Sequence, residues 1–301
     1  MTEHPLHSLA ASRVLVLDGA MGTMLQRLGL QESDFHGPGI PDAPPQKGNN
    51  DVLCLSRPDA IAAIHRQYLE AGADLVSTNT FNANAVSQRE YGADALVYAI
   101  NRAGATIARR EADAFSTPDR PRFVCGSIGP TGKSASLSPY ADDPAHRNVR
   151  FRELAEAYRT QIRGLLDGGA DALLVETVFD ALNAKAALYA AALEFEARGA
   201  TSPVIVSASL ASADRLLTGQ TVEAFCAAVA HAPGLLAIGL NCGFGAAQLA
   251  PALRRLQAVA PCPVSAHPNA GLPDALGDYA QTPAIMRQEL EPLLRDGVLS
   301  I

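Results

Sequence analysis

Eight short, almost continuously apolar runs, alternating with longer segments that mostly carry a helical period, constrain this 301-residue chain more than any other feature. The runs are VLVLDG (14–19), LVSTNTF (75–81), RFVCGSIGP (122–130), ALLVET (172–177), VIVSASL (204–210), LLAIGLNC (235–242), PVSAHPN (263–269) and VLSI (298–301). A strand that alternates apolar with polar residues has one wet face; a continuous run is expected to be buried on both. Strands buried on both faces and joined by helical crossovers run parallel. Between them, Ser56 and Asp59 stand at capping-box spacing around Pro58, and Ile61, Ile64 and Tyr68 continue one stripe, which predicts a helix over 58–71. A single long helix is expected over 84–109, another around Leu154, Tyr158, Ile162 and Leu165, and a last one ending near Asp296. Strand count and length favour an α/β chain closed as a (β/α)₈ TIM barrel over an open doubly wound sheet. The echo of AGAD-LVSTNTFNANA (71–85) in GGAD-ALLVETVFDALNA (168–184) supports repeated units, and RDG-VLSI begins the motif again. Residues 1–301 are thus expected to form one barrel domain lacking its C-terminal end, with strand eight cut short and a frayed seam against strand one.

Composition narrows the partners. With 48% hydrophobic and 18% charged residues the chain has an ordinary globular makeup, and its net charge of -7 argues against nucleic acid or an anionic membrane as partner. No apolar run approaches the roughly 18 residues needed to span a bilayer. The start, MTEHPLHSLAASR, lacks a basic-then-apolar leader, and the five cysteines contain no C-x-x-C, so a reducing, cytoplasmic setting is expected.

In a barrel the active site gathers at the C-terminal ends of the strands. Here those tips are Asp18-Gly19, Thr78-Asn79-Thr80, Gly129-Pro130-Thr131, Glu176-Thr177, Ser207, Asn241-Cys242 and His267-Pro268-Asn269. Polar, glycine-rich tips are common in any such fold, but an acid directly after a buried strand, as at Asp18 and Glu176, needs a positive or N–H partner. A bound amino group would supply one.

The motifs DGAMGTMLQ (18–26), KGNNDVLCLSRP (47–58), AGADLVSTNTFNAN (71–84), GPT (129–131), GGADALLVETVFDALNAK (168–185), TGQT (218–221), GLNC (239–242) and AHPNAGLPDALGDY (266–279) together resemble the homocysteine-binding domain of cobalamin-dependent methionine synthase. The resemblance runs from about residue 12 to 301. It implies a (β/α)₈ barrel in which zinc, held by three cysteines, binds homocysteine as a thiolate for methyl transfer from methylcobalamin on a separate domain or subunit. The implied enzyme is a homocysteine S-methyltransferase of the methionine synthase type, with cobalamin- and folate-binding domains or subunits as partners. Carried over residue by residue, Cys242 of GLNC becomes a zinc ligand. The other two cysteines are expected just beyond Ile301. Asn269 becomes a weak ligand at the open position, and Asp18 and Glu176 face the substrate ammonium. Backbone N–H groups around Gly19 face its carboxylate, and Thr80 and Asn241 complete the substrate contacts. A free thiol with pKa near ~8.5 is mostly protonated at neutral pH, and zinc would keep it ionised.

The sequence departs from the family pattern where the cysteine pair is absent, where Ser77 stands in place of an acid before T-N-T-F, and where Gly132 follows G-P-T. The chain as given is therefore expected to fold yet hold no tight zinc and not methylate homocysteine. The alternatives are a homocysteine methyltransferase using a small betaine or methylsulfonium donor, and, in another class, a non-catalytic barrel that binds amino acids or docks to a partner. Cys54, Cys226 and Cys262 are read as structural, Cys125 as core, and His267 as a secondary candidate for metal or substrate contact. DFHGPG (34–39) matches a cobalamin-binding pattern but sits in a proline-rich loop without the domain that pattern needs. The long segment 131–150 is expected to cover the barrel mouth.

Overall fold

The computed structural model describes residues 4–271 and 281–301. In chain order the helices are α1 (Pro5–Ser12), α2 (Met21–Arg27), α3 (Leu53–Ser56), α4 (Pro58–Ala71), α5 (Ala85–Gln88), α6 (Val97–Phe115), α7 (Phe151–Asp167), α8 (Ala181–Arg198), α9 (Val222–Val229), α10 (Ala246–Gln257) and α11 (Pro283–Arg295). The strands are β1 (Leu75–Ser77), β2 (Phe123–Ile128), β3 (Ala172–Val178), β4 (Val204–Ala208), β5 (Leu235–Gly245) and β6 (Val264–Asn269). They form one six-stranded parallel sheet in the order β1-β2-β3-β4-β5-β6. Consecutive neighbours in sequence order are what repeated right-handed helical crossovers produce.

Two of the eight expected strands, 14–19 and 298–301, are not strands in their own right, yet both bond to the sheet edges. Asp18 N–H donates to the Leu75 carbonyl and Leu75 N–H to the Val16 carbonyl, at 2.9 and 3.1 Å. At the other edge Ser300 N–H donates to Val264 and Ala266 N–H to Ile301, at 2.9 and 3.0 Å. Leu15 N–H donates to the Ser300 carbonyl at 2.9 Å, linking the two edge segments where a frayed seam was expected.

One sheet face shows how the site is placed. Reading every second residue gives Leu75 then Ser77, Phe123, Cys125 then Ser127, Ala172, Leu174 then Glu176, and Ile205 then Ser207. The apolar members pack together with Leu15, Leu236, Ala237 and Ile301, and Leu6 and Ala10 of α1 close that cluster. Alternation with period two therefore lays an apolar floor and puts a polar side chain at the tip of each strand. The opposite face is covered by helices. On α7, Leu154, Tyr158, Ile162 and Leu165 are all buried, the three- and four-residue spacing read from the sequence. Burying a leucine of this kind stabilises the fold by about 1.5–3 kcal/mol.

Two local expectations are corrected. The helix expected over 84–109 is broken. Asn84 caps α5 by accepting from the N–H groups of Val86 and Ser87, the helix stops, and Gly92 at φ 63 turns the chain before α6 begins. Ser56 does not cap α4, which starts at Pro58 with Arg57 at the cap position, and Arg57 instead pairs with Asp59.

Candidate functional site

A cavity of about 480 Å³ opens at the C-terminal ends of the strands. Its walls include Asp18, Gly19, Glu176, Asn241, Cys242 and Asn269, six of the residues singled out from the sequence. Among the described residues no lysine or arginine lines it.

Asp18 is buried, and its partners are both on Ser77: the backbone N–H at 2.9 Å from Oδ2 and the hydroxyl at 2.7 Å from Oδ1. Burial pushes its carboxyl up to about 7. The Ser77 hydrogen bonds oppose that rise, and the nearby Glu176 carboxylate adds to it. Glu176 is partly open to the cavity but walled by protein, and its Oε1 accepts the Ser127 hydroxyl at 2.6 Å. Loss of water pushes it to about 7 as well, with only that hydroxyl favouring the ion. Gly19 lies against Tyr68, where a Cβ would come 3.2 Å from the ring, so no larger side chain fits without moving Tyr68.

The sequence reading missed a third carboxyl. Asp51 is buried, lines the same cavity, and accepts from the Asn82 N–H at 2.9 Å. Burial raises it too to about 7. The signal is the acid of KGNND, which in the sequence alone is indistinguishable from the rest of its motif. Ser127 was missed likewise; a lone serine inside an apolar run is what could have pointed to it.

Thr80 does not line the cavity, contrary to expectation. It is fully buried, its hydroxyl lying 2.6 Å from that of Thr78 and donating to the Ser127 carbonyl at 2.8 Å. The chain turns after β1, so Thr80 points behind the tip while Thr78 and Asn79 face the cavity. Asn241 does reach the cavity, but its side chain is already engaged. Its Oδ1 accepts from the Thr177 N–H at 2.9 Å and the Ser207 hydroxyl at 2.8 Å, and its Nδ2 donates to the Thr177 hydroxyl at 2.7 Å.

Cys242 is exposed and sits in the left-handed region at φ 61. Cys54, Cys125 and Cys226 are buried, and Cys262, half-buried, precedes β6 at the other end of the strands. His267 lines the cavity with Nε2 lacking a partner among the described residues, and burial lowers it to about 4, so it is neutral. For a zinc ion these residues offer one thiol, one imidazole nitrogen and the Asn269 amide. Among the described residues no group of three or more His, Cys, Asp or Glu is placed to hold a metal. They do not by themselves complete the site that zinc requires.

The segment 131–150 does not form the expected lid, since none of it lines the cavity. It is pinned beside the β3 end instead. Asp180 accepts from the hydroxyls of Ser134 and Ser136, at 2.5 and 2.7 Å, while capping α8 through the Leu182 N–H. Of the AHPNAGLPDALGDY motif, residues 272–279 lie outside the described residues. Among the described residues no helix is long and apolar enough to cross a membrane.

A family model described as homocysteine S-methyltransferase matches residues 15–301. Among solved structures the chain is similar to the homocysteine methyltransferase MmuM from Escherichia coli. For its oxidized form the identity is 23% and the TM-score 0.74, over 98% of this chain and 92% of that one. For the metallated form the values are 24% and 0.71, over 89% and 88%. At such identities the likeness concerns the fold.

Proposed function

Because the chain belongs to the homocysteine S-methyltransferase family, we propose that its cavity binds homocysteine and presents the thiol for methyl transfer to give methionine. One observation carries this reading: Asp18 and Glu176, two of the cavity's three buried or walled carboxyls, have no cationic partner among the described residues and share the cavity with an exposed thiol. An α-ammonium group supplies the missing charge, and on its arrival Asp18 and Glu176 ionise. The N–H groups around Gly19 take the substrate carboxylate. Cys242 and Asn269 then mark the end of the cavity that receives the sulfur. Thr80, behind the tip, holds the β1 and β2 ends together.

Zinc bound through Cys242, with further ligands from outside the described residues, would keep a substrate thiol ionised at neutral pH. The rest of the reading does not depend on it. Elemental analysis after zinc loading, with Cys242→Ser beside the unaltered chain, tests that assignment. Stoichiometric zinc retained by the serine variant sinks it.

The fold is proposed to be a closed (β/α)₈ barrel, supported by the hydrogen bonds that carry Leu15 to Ser300 and both to the sheet edges. For the methyl donor, KGNND and AHPNAGLPDALGDY favour methylcobalamin on a partner domain or subunit. A second reading is a small betaine or methylsulfonium donor, which would need no partner domain. Turnover with each donor class separates the two. Calorimetry with homocysteine tests the shared core, and no binding by the wild-type chain overturns it.

A further inference from the structure

Two non-glycine residues among those described have positive φ: Thr177 at 56° and Cys242 at 61°. Both stand at strand ends, and both sit in breaks of register, between Val175 and Val178 on β3 and between Asn241 and Gly245 on β5. Such a bulge has a consequence for where side chains point. In a regular strand neighbouring residues face opposite sides, yet here Glu176 and Thr177 both line the cavity, and so do Asn241 and Cys242. Each bulge re-aims one extra side chain into the site.

A β-branched residue in the left-handed region is strained and persists only where its surroundings hold it. What holds Thr177 is Asn241. One amide takes the Thr177 N–H on its oxygen and gives its own N–H to the Thr177 hydroxyl, while the Ser207 hydroxyl fixes the same oxygen from β4. Asn241 is thus joined to both bulges, by its side chain to the residue after Glu176 and by its backbone to Cys242.

We propose that Asn241 is a positioning residue which locks the β3 bulge to the β5 bulge, so that the Glu176 carboxylate and the Cys242 thiol are presented to one ligand at a fixed separation. The proposal rests on the homocysteine reading above and assigns Asn241 a place behind the substrate rather than against it.

The test is homocysteine binding by calorimetry, with alkylation of Cys242 by iodoacetamide followed peptide by peptide as a second readout. Asn241→Ala should weaken binding about tenfold, the equivalent of one hydrogen bond and its strain, and should change the alkylation rate of Cys242 but not of Cys262. Adding Thr177→Gly, which needs no clamp to adopt a positive φ, should restore most of the affinity. If Asn241→Ala does not fold, the single variants decide. Thr177→Gly should bind more tightly than Thr177→Val, because valine keeps the branch and loses the hydroxyl. Wild-type affinity in Asn241→Ala, no rescue by glycine, or valine equal to or better than glycine each overturns the proposal. Absence of binding by the wild-type chain overturns the homocysteine reading instead, and unequal alkylation of Cys242 then still reports on the lock.

Discussion

Ser77 gives both of its donors to Asp18, one to each carboxylate oxygen, at 2.9 Å from the backbone and 2.7 Å from the hydroxyl. The family resemblance predicts an acid at this place, and the chain has Ser77. In this chain the neighbour instead favours the ionised form of Asp18 against the pull of burial. The pair therefore helps to set, together with Glu176, the pH range over which the cavity can receive a cation.

Binding of an ammonium group should release protons. Asp18 and Glu176 both stand at about 7 in the free chain, so the affinity for 2-aminobutyrate, which has the ammonium and carboxylate but no thiol, is expected to rise with pH through that value and then level off. Ser77→Ala removes a hydrogen bond that lowers Asp18, and should move the midpoint upward. Calorimetry across this range checks both; a midpoint unmoved in Ser77→Ala counts against the role given to Asp18.

Glu176→Gln keeps the shape and removes the charge. Homocysteine binding is expected to weaken by about 1.5–3 kcal/mol, the range for a charge-assisted hydrogen bond. Unchanged affinity would remove Glu176 from the ammonium site.

Asp51 offers a stability test with a definite sign. Its carboxyl is raised by burial to about 7 from the ordinary 3.8, so the folded chain holds a proton there that the unfolded chain has already lost. Its contribution accordingly becomes less favourable as pH rises between those two values and stays so above about 7. Asp51→Asn mimics the protonated form. Its melting temperature relative to wild type should therefore increase from about pH 5 to about pH 8, and a constant difference would refute the assignment.

Asp180→Ala should release the 131–150 segment. The substitution removes the α8 cap and strands the donors of Ser134 and Ser136, a loss of about 2–4 kcal/mol in all. Limited proteolysis should then cut first within 131–150. Cleavage elsewhere, with that segment still resistant, would show that other contacts pin it.

Much of the architecture could be read from residue order. Continuous apolar runs are buried on both faces wherever they lie, so six of the eight appear as parallel strands and the other two as hydrogen-bonded edge segments. The break at Gly92 was not legible from the apolar pattern of 84–109, because the interruption comes from two 3₁₀ turns, Arg89–Tyr91 and Asp94–Leu96, that flank Gly92 at a positive φ.

By itself the sequence determined that acids and a thiol would follow buried strands, which placed Asp18, Glu176 and Cys242 at one end of the fold. A residue's position at a strand tip depends on local chain direction alone. Only the tertiary structure decided what each tip residue could still offer. Thr80 and Asn241 look from the sequence like free polar groups, but their hydrogen bonds go to Ser127, Thr177 and Ser207, partners 34 to 64 residues away. Asp51 looks like an ordinary acid before a short helix until folding buries it in the same cavity. Hydrogen-bond partners and loss of water are set by which distant segments meet, and no local pattern in the chain encodes that meeting.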